Sequence, residues 1–340
     1  MKKKVTMQDI ADHLNISKNS VSQAFSGKPG VGEETRRQIF QVAKKLGYQY
    51  TKKSNDSPAN TGNIGLIASD FAFSMTSFFG EIYLNVEEEV RKNGKNLLIQ
   101  SIKKEEKENL ILPSFIENQQ VDGILILSHI SNEYIQKVLA TGIPTVLIDH
   151  HHPNIEADAI LTNNRFGSYL VTQHLVELGH KDIAFVGDTS FSPSYQERWE
   201  GYMLALKEFG LEANSHLMFT DAKEEEFMIN SFIQQLPAQP TAWFCVNDGL
   251  GYLVTNGLKQ QGLNVPEDAS VCSFDNGKLS RLSSPSITTM DIDLGLYGKK
   301  AVEKLFWRIE NPDEQYQETL LPAKLIQRKS TSHAPNLKNC

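Results

Sequence analysis

The sequence has few cysteines and no long apolar run. Its three cysteines, Cys245, Cys272 and Cys340, are odd in number and lack metal-type spacing, which favours a reducing compartment. No apolar stretch approaches the length of a membrane span, and "MKKKVTMQDIADHL" at the N-terminus lacks the apolar segment of a signal peptide. These absences predict a cytoplasmic chain with no membrane partner.

Motifs for catalysis and metal binding are also missing. No glycine-rich phosphate loop follows a strand-like run, and the nucleophile motif G-x-S-x-G does not occur. The tract His150-His151-His152 looks like a metal site, but consecutive loop residues do not converge on one ion. We therefore expect no enzymatic activity, no cofactor and no metal site.

Positive charge is scarce overall but concentrated at one end. The 340-residue chain has a net charge of −7, yet residues 1–53 carry +7 and the remainder carries −14. This length favours two or three domains. A basic head on an acidic body indicates that only the head meets a polyanion such as DNA.

The first 48 residues predict three short helices. Thr6 and Asp9 form a near capping box at the start of the first helix, and Asn15 tolerates the left-handed conformation of a tight turn. Ser17 can then cap the second helix. The inward stripe of that helix comprises Val21, Ala24 and Phe25.

A polar linker, "QYTKKSNDSPANTGN", separates the head from seven short apolar runs. Because helix-length segments alternate with these runs, they predict two lobes with parallel sheets. In open α/β sheets, ligands bind outside the carboxyl ends of strands. The polar residues at these predicted ends are Asp70, Ser128, Asp149, Asp188, Asp248 and Asp275.

The stretch "VTMQDIADHLNISKNSVSQAFSGKPGVGEETRRQIFQVAKKLGY" resembles the DNA-binding headpiece of the lactose/galactose repressor (LacI/GalR) family. The likeness continues to about Ser330 through "IPTVLID", "HLVELGHKDIAFVGD" and "PTAWFCVNDGLGY". The resemblance implies a small all-α helix-turn-helix head and an α/β two-lobed periplasmic-binding-protein-like core with parallel sheets. It also implies a cytoplasmic dimeric transcription regulator with a small effector between the lobes.

The expected domains follow from this resemblance. The tail has no heptad pattern, so a homodimer is expected and a coiled-coil tetramer is not. The expected residue ranges of the domains are 1–48 for the head, 49–62 for the linker and 333–340 for the tail. Lobe 1 is expected to comprise about 63–161 with 291–319, and lobe 2 about 162–290 with 320–332.

The second helix is expected to read double-stranded operator DNA, as a pseudo-palindrome if the chain is dimeric. Its outward residues include Lys18, Asn19 and Gln23, which by resemblance occupy the base-reading positions. Many family members have arginine where this chain has Gln23, and glutamine favours adenine. Six hydroxyl groups are expected to contact DNA phosphates, and helix capping or a solvated surface position is the alternative for each. They are those of Thr6, Ser17, Ser22, Ser26, Thr35 and Tyr48.

The linker departs from the family pattern. Family linkers form a hinge helix with a leucine wedge, whereas "TKKSNDSPANTGN" has no leucine and contains Pro58. The sequence therefore predicts a weak kink, or none, at the operator centre.

Four residues match family effector positions. Arg198 can hold two neighbouring oxygens with its guanidinium, and Asp149, Asn247 and Asp275 lie at predicted strand ends. The alternatives are a loop cap for Asp149 and a lobe-stabilising ion pair for Arg198. Residues expected to line the other lobe are Asp70, Phe78 and Phe79, with core packing as the alternative for both phenylalanines.

Together these features predict a repressor of carbohydrate-utilisation genes whose DNA affinity responds to a sugar or sugar derivative. A co-repressor, such as a nucleobase, sugar phosphate or partner protein, remains the alternative because it would use the same cleft. A solute-binding receptor would instead need an export signal and no basic head.

Overall fold

The computed structural model describes residues 6–26, 31–46, 48, 60–70, 72, 78–127 and 130–335, without the side chains of Ser26 and Lys44. The chain divides into two compact units, Met1–Asn60 (the head) and Thr61–Cys340 (the core). Most of the linker lies outside the described residues, so the expectation of a weak operator kink remains a prediction.

The head contains three helices around a small apolar core. They are α1 (Met7–Leu14), α2 (Lys18–Ser26) and α3 (Glu33–Leu46). The capping box is present: the backbone N–H of Asp9 donates to Thr6 Oγ1 and the backbone N–H of Thr6 donates to Asp9. Asn15 adopts the left-handed conformation at φ 56°, as predicted, and starts the turn into α2. The buried side chains are Ile10, Ala11, Val21, Ala24, Ile39 and Ala43.

The core has two six-stranded sheets, each forming the centre of one lobe. The lobe 1 sheet has the order β11-β5-β4-β3-β1-β2 and is parallel throughout. Its strands are β1 (Asn63–Ser69), β2 (Asn96–Ile102), β3 (Gly123–Leu127), β4 (Thr145–Ile148), β5 (Asp158–Thr162) and β11 (Glu318–Leu321).

The lobe 2 sheet has the order β12-β10-β9-β8-β6-β7. Its pairs are parallel except for β10 with β12, which is antiparallel. Its strands are β6 (Ile183–Val186), β7 (Met218–Phe219), β8 (Ala242–Cys245), β9 (Ser270–Phe274), β10 (Thr288–Ile292) and β12 (Ala323–Ile326). The predicted architecture of a helical head and a two-lobed parallel α/β core is therefore confirmed.

Helices connect the strands in both lobes. In lobe 1 they are α4 (Phe79–Lys92), α5 (Lys104–Glu108), α6 (Ser114–Glu117) and α7 (Asn132–Leu139), with α13 (Leu294–Glu310) returning from lobe 2. In lobe 2 they are α8 (Asn164–Glu177), α9 (Pro193–Glu208), α10 (Glu226–Gln235), α11 (Asp248–Gln260) and α12 (Lys278–Leu282). Among the helices of the described residues, none is both long and apolar enough to cross a membrane.

The chain passes between the sheets three times, after β5, after β10 and between β11 and β12. Helix α13 packs on α4 and on lobe 1 strands, so the chain is back in lobe 1 directly after β10. Strands β10 and β11 extend to Ile292 and Leu321, slightly past the lobe boundaries that the sequence suggested. Three crossings place the loops at the carboxyl ends of both sheets around one cleft.

Candidate functional site

The second helix of the head presents polar side chains on one side and apolar ones on the other. Lys18 and Asn19 are exposed, Gln23 is half-buried, and Val21 and Ala24 are buried against the other helices. This arrangement follows from the 3.6-residue period, which separates inward from outward positions. The predicted base-reading residues therefore lie on the face of α2 that the head core does not use.

The predicted phosphate-contacting hydroxyls have different surroundings. Thr6 and Ser17 are helix caps, since their hydroxyls accept from backbone N–H groups of Asp9 and Ser20 at 3.3 and 3.0 Å. The Tyr48 ring packs 5.6 Å from Phe25. Ser22 and Thr35 are half-buried, and the Ser26 side chain lies outside the described residues.

Arg198 is the centre of a cluster of polar contacts in the core. It lies on α9 and is only 2% exposed. Its guanidinium donates to Asn164 Oδ1 at 2.9 Å and to the Val246 carbonyl at 2.6 Å, and it pairs with Asp275 at 3.0 Å. The Phe274 ring lies 3.8 Å from its central carbon. Each nitrogen of the fork therefore has a partner, and the side chain is held rigidly.

Asp149 and Asp275 lie directly after strands β4 and β9, one in each lobe. Both have left-handed backbone conformations, at φ 57° and 100°. Aspartate tolerates this region better than most residues do, and the turn it makes ends each strand abruptly. The two carboxylates that were predicted at strand ends therefore both interact electrostatically with the guanidinium of Arg198.

Asp149 also joins the two lobes. Its carboxylate accepts from Ser194 Oγ, on α9 of lobe 2, at 3.0 Å. Burial raises the pKa of Asp149 to about 6, although Arg198 and Ser194 favour its charged form. Ser194 was not predicted from the sequence. It lies one helical turn before Arg198, so the i, i+4 spacing on an expected helix was the available signal.

Asn247 begins α11 and has two functions. Its side-chain oxygen accepts from the Leu250 N–H at 2.9 Å and caps the helix. Its amide nitrogen donates to the Tyr195 hydroxyl at 2.6 Å and to Glu224 at 2.7 Å. Tyr195 and Glu224 are further cleft residues that the sequence analysis missed, because their contacts depend on how α9 and the loop before α10 meet.

The three predicted residues of the first strand end do not share these contacts. Asp70 is exposed and accepts from the Ser101 hydroxyl. Phe78 and Phe79 are buried in the main apolar core, with ring centroids 4.9 Å apart in an edge-to-face arrangement. Core packing therefore accounts for the position of both phenylalanines.

A cavity of about 480 Å³ opens beside Asp275. Its wall includes Glu81 of lobe 1, Arg281 and Lys324 of lobe 2, and Pro322 at a crossing. It does not include Asp149, Arg198 or Asn247, whose polar groups form hydrogen bonds with neighbouring residues. Across the described residues, no three histidine, cysteine or acidic side chains come together as metal ligands.

Two known protein families match parts of the chain. Residues 6–50 match the family described as bacterial regulatory proteins, lacI family. Residues 172–331 match the family described as periplasmic binding protein-like domain. The first match covers the head, and the second covers most of lobe 2 and the return through lobe 1.

Relatives and solved structures extend the likeness to nearly the whole chain. The ribose operon repressor of Haemophilus influenzae is 30% identical over 329 residues, which cover 96% of this chain and 98% of the relative. The HTH-type transcriptional repressor PurR of Actinobacillus pleuropneumoniae is 30% identical over 316 residues, covering 92% and 93%. The structure of the transcriptional regulator CelR in complex with cellobiose superimposes with a TM-score of 0.72 at 23% identity, covering 96% and 100%, which shows the shared fold. The chain therefore belongs to the LacI family of bacterial regulatory proteins and is a DNA-binding transcription regulator, not an enzyme.

Proposed function

We propose that the protein is a cytoplasmic, homodimeric repressor that binds a pseudo-palindromic operator and responds to a small neutral sugar. The observation that carries the effector assignment is the convergence of Asp149, Arg198 and Asp275 between the lobes. Planar polar side chains of this kind hydrogen-bond the vicinal hydroxyls of sugars. The names of the ribose operon repressor and of the CelR–cellobiose complex agree with a carbohydrate effector.

The charges in the cleft favour a neutral ligand over an anionic one. The one arginine of the described cluster already pairs with Asp275 and donates to a carbonyl and an amide oxygen. Asp149, Glu197 and Glu224 add negative charge around it. Beside Arg198, a phosphate or carboxylate group would meet these carboxylates, and like charges repel. The wall of the cavity beside Asp275 likewise holds four acidic residues against the two cations Arg281 and Lys324. Hydroxyl groups can donate to the same carboxylates.

A thermal-shift screen of the full-length protein tests this assignment. Pentoses, hexoses and disaccharides are compared with their phosphates and with nucleobases. A neutral sugar is expected to raise Tm, because a ligand that binds only the folded state stabilises it by mass action. Stabilisation by purines and not by sugars would show that the carbohydrate assignment is wrong. Retesting the ligand with operator DNA gives the sign of coupling and so separates an inducer from a co-repressor.

The head is proposed to read DNA through Lys18, Asn19 and Gln23 on the exposed face of α2. The surplus of positive charge in residues 1–53 supports this role, because phosphate contacts supply most of the affinity for DNA. In a helix-turn-helix, the residues near the start of the second helix contact base edges in the major groove.

Gln23 is expected to prefer adenine. Selection of binding sites from a random DNA library with the wild-type protein should return adenine opposite Gln23, since glutamine binds adenine bidentately. Gln23→Ala should remove the base preference at this position of the operator and weaken binding to the selected sequence by about 1–3 kcal/mol. Gln38→Ala, a matched change at an exposed position of α3, should leave the selected sequence unchanged. Guanine opposite Gln23 in the wild-type selection would refute the assignment.

An apolar surface on lobe 2 is the proposed interface between two copies of the chain. Phe227 of α10 and Leu282 of α12 are 82% and 80% exposed, and Leu279 of α12 and Tyr252 of α11 are also exposed. Helix α11 packs against both α10 and α12, so these side chains belong to one helical layer. Soluble monomers rarely leave several large apolar side chains this exposed in one layer.

A further inference from the structure

His151 connects the two lobes. It follows Asp149 in the loop after β4, in lobe 1. Its Nε2 lies 3.3 Å from Glu197 on α9 of lobe 2, and its Nδ1 lies 3.0 Å from Glu318 at the start of β11 in lobe 1. The imidazole thus lies between one carboxylate of each lobe, and both ring nitrogens donate when it is protonated.

Glu197 continues the connection to Arg198. Its second oxygen accepts from the Asn164 amide at 3.1 Å, and the oxygen of the same amide accepts from Arg198 at 2.9 Å. The amide of Asn164 is therefore fixed at both ends, by a carboxylate and by a guanidinium. A chain of polar contacts therefore runs from Glu318 through His151, Glu197 and Asn164 to Arg198.

From these contacts we infer that His151 and Glu197 are positioning residues that clamp the lobes together and hold Asn164 against Arg198. The clamp is strongest when His151 carries a positive charge, because only the imidazolium forms ion pairs with both carboxylates. The role of Arg198 in effector binding rests on the proposed function. The clamp itself rests on contacts between the lobes.

The pH dependence follows from the groups that surround His151. Glu197, Glu318 and their hydrogen bonds raise the pKa of His151 from its ordinary 6.5 to about 9, against the effect of burial. In separated lobes the imidazole would lose Glu197 and titrate lower. The free energy that the clamp contributes to closure is therefore fully present below pH 6.5 and is lost as the pH rises through about 9.

Two neighbouring groups titrate below this window. On the same loop, burial lowers the pKa of His150 to about 4 and raises that of Asp149 to about 6. His152, the third histidine of the loop, accepts from the Asn154 N–H at 3.1 Å. On the helices facing the loop, the cations near Glu197 are Arg165 and Arg198. These surroundings make His151 the group to test.

Spin labels on the two lobes test the clamp without any ligand. Cysteines replace the exposed Lys137 of α7 and Lys207 of α9 in the full-length chain, and Cys340 is changed to serine. The native Cys245 and Cys272 are buried and should not react. Labelled protein is diluted with unlabelled protein, so that pulsed electron spin resonance reports distances within one chain.

The wild-type distance distribution should be short at pH 6.5 and should shift to longer distances as the pH passes about 9. His151→Gln, and separately Glu197→Gln, should give the long distribution at pH 6.5. His151→Lys keeps a cation that stays charged at pH 9, so it should keep the short distribution there. His152→Gln, the same change one residue further along the loop, should behave as the wild type does.

Two results would overturn the clamp: His151→Gln giving the wild-type distribution at pH 6.5, or His151→Lys following the wild-type pH response. These distances are measured without an effector, so their result is independent of the sugar screen. A screen without sugar binding would remove the effector assignment and leave the clamp intact. If the protein binds sugar but His151→Gln keeps the wild-type distances, the clamp is removed and the effector assignment stays intact.

Discussion

Arg198→Ala is expected to abolish sugar binding and to lower the stability of the core. The substitution removes the buried guanidinium that pairs with Asp275 and leaves that carboxylate, which is mostly buried and has Asp149 nearby, without its cation. Breaking a buried pair by removing one partner costs about 3–5 kcal/mol, which for a domain of this size lowers Tm on the order of 10 °C. Differential scanning calorimetry and sugar titration measure the two effects.

A double variant separates stability from binding. Arg198→Met combined with Asp275→Asn removes both charges, so it should recover much of the lost Tm while sugar affinity stays lost. Arg165→Ala is the matched control, because Arg165 is half-exposed and pairs with Glu200 on the surface of the same lobe. Exposed pairs contribute about 0–1 kcal/mol. Undiminished sugar binding by Arg198→Ala would contradict the proposed site.

Leu282→Asp is expected to turn the dimer into monomers and to weaken operator binding. Leu282 is 80% exposed in the single chain, on the short helix α12. Burying a leucine contributes about 1.5–3 kcal/mol, and a two-fold interface contains each residue twice. The loss should therefore be at least about 3 kcal/mol, or on the order of 100-fold in the dimer Kd. Sedimentation velocity measures the oligomeric state.

Leu170→Asp provides the control for this surface. Leu170 is an exposed leucine of the same lobe, but it lies on α8, which packs against α9 and does not belong to the layer of α10, α11 and α12. This variant should remain dimeric and keep its operator affinity. A Leu282→Asp protein that sediments as a dimer would exclude the layer of α10, α11 and α12 as the interface.

The sequence was sufficient to predict the head and the strand ends of the core. Local rules decide both: Thr6 and Asn15 fix the first helix and its turn, and Asp149 and Asp275 follow apolar runs directly. The capping box and the left-handed turn depend on residues close in the chain. Such features can be derived without knowing how distant segments pack.

Contacts between distant segments could not be derived in this way. The contact of His151 with Glu197 requires the two lobes to meet, and its contact with Glu318 requires β4 and β11, which are far apart in sequence, to lie in one sheet. The histidine tract by itself indicated only a loop. Phe78 and Phe79 illustrate the converse problem. Aromatic residues after a strand suit both a ligand wall and a core, and only burial distinguishes these two roles.

The central claim, that effector binding in the core changes the affinity of the head for DNA, has one direct test. The full-length protein is titrated onto its selected operator by fluorescence anisotropy, at fixed salt, with and without the sugar found in the thermal-shift screen. The operator Kd is expected to change by about 5–150-fold on adding the sugar. A sugar that binds the core and leaves the operator Kd unchanged would contradict the central claim.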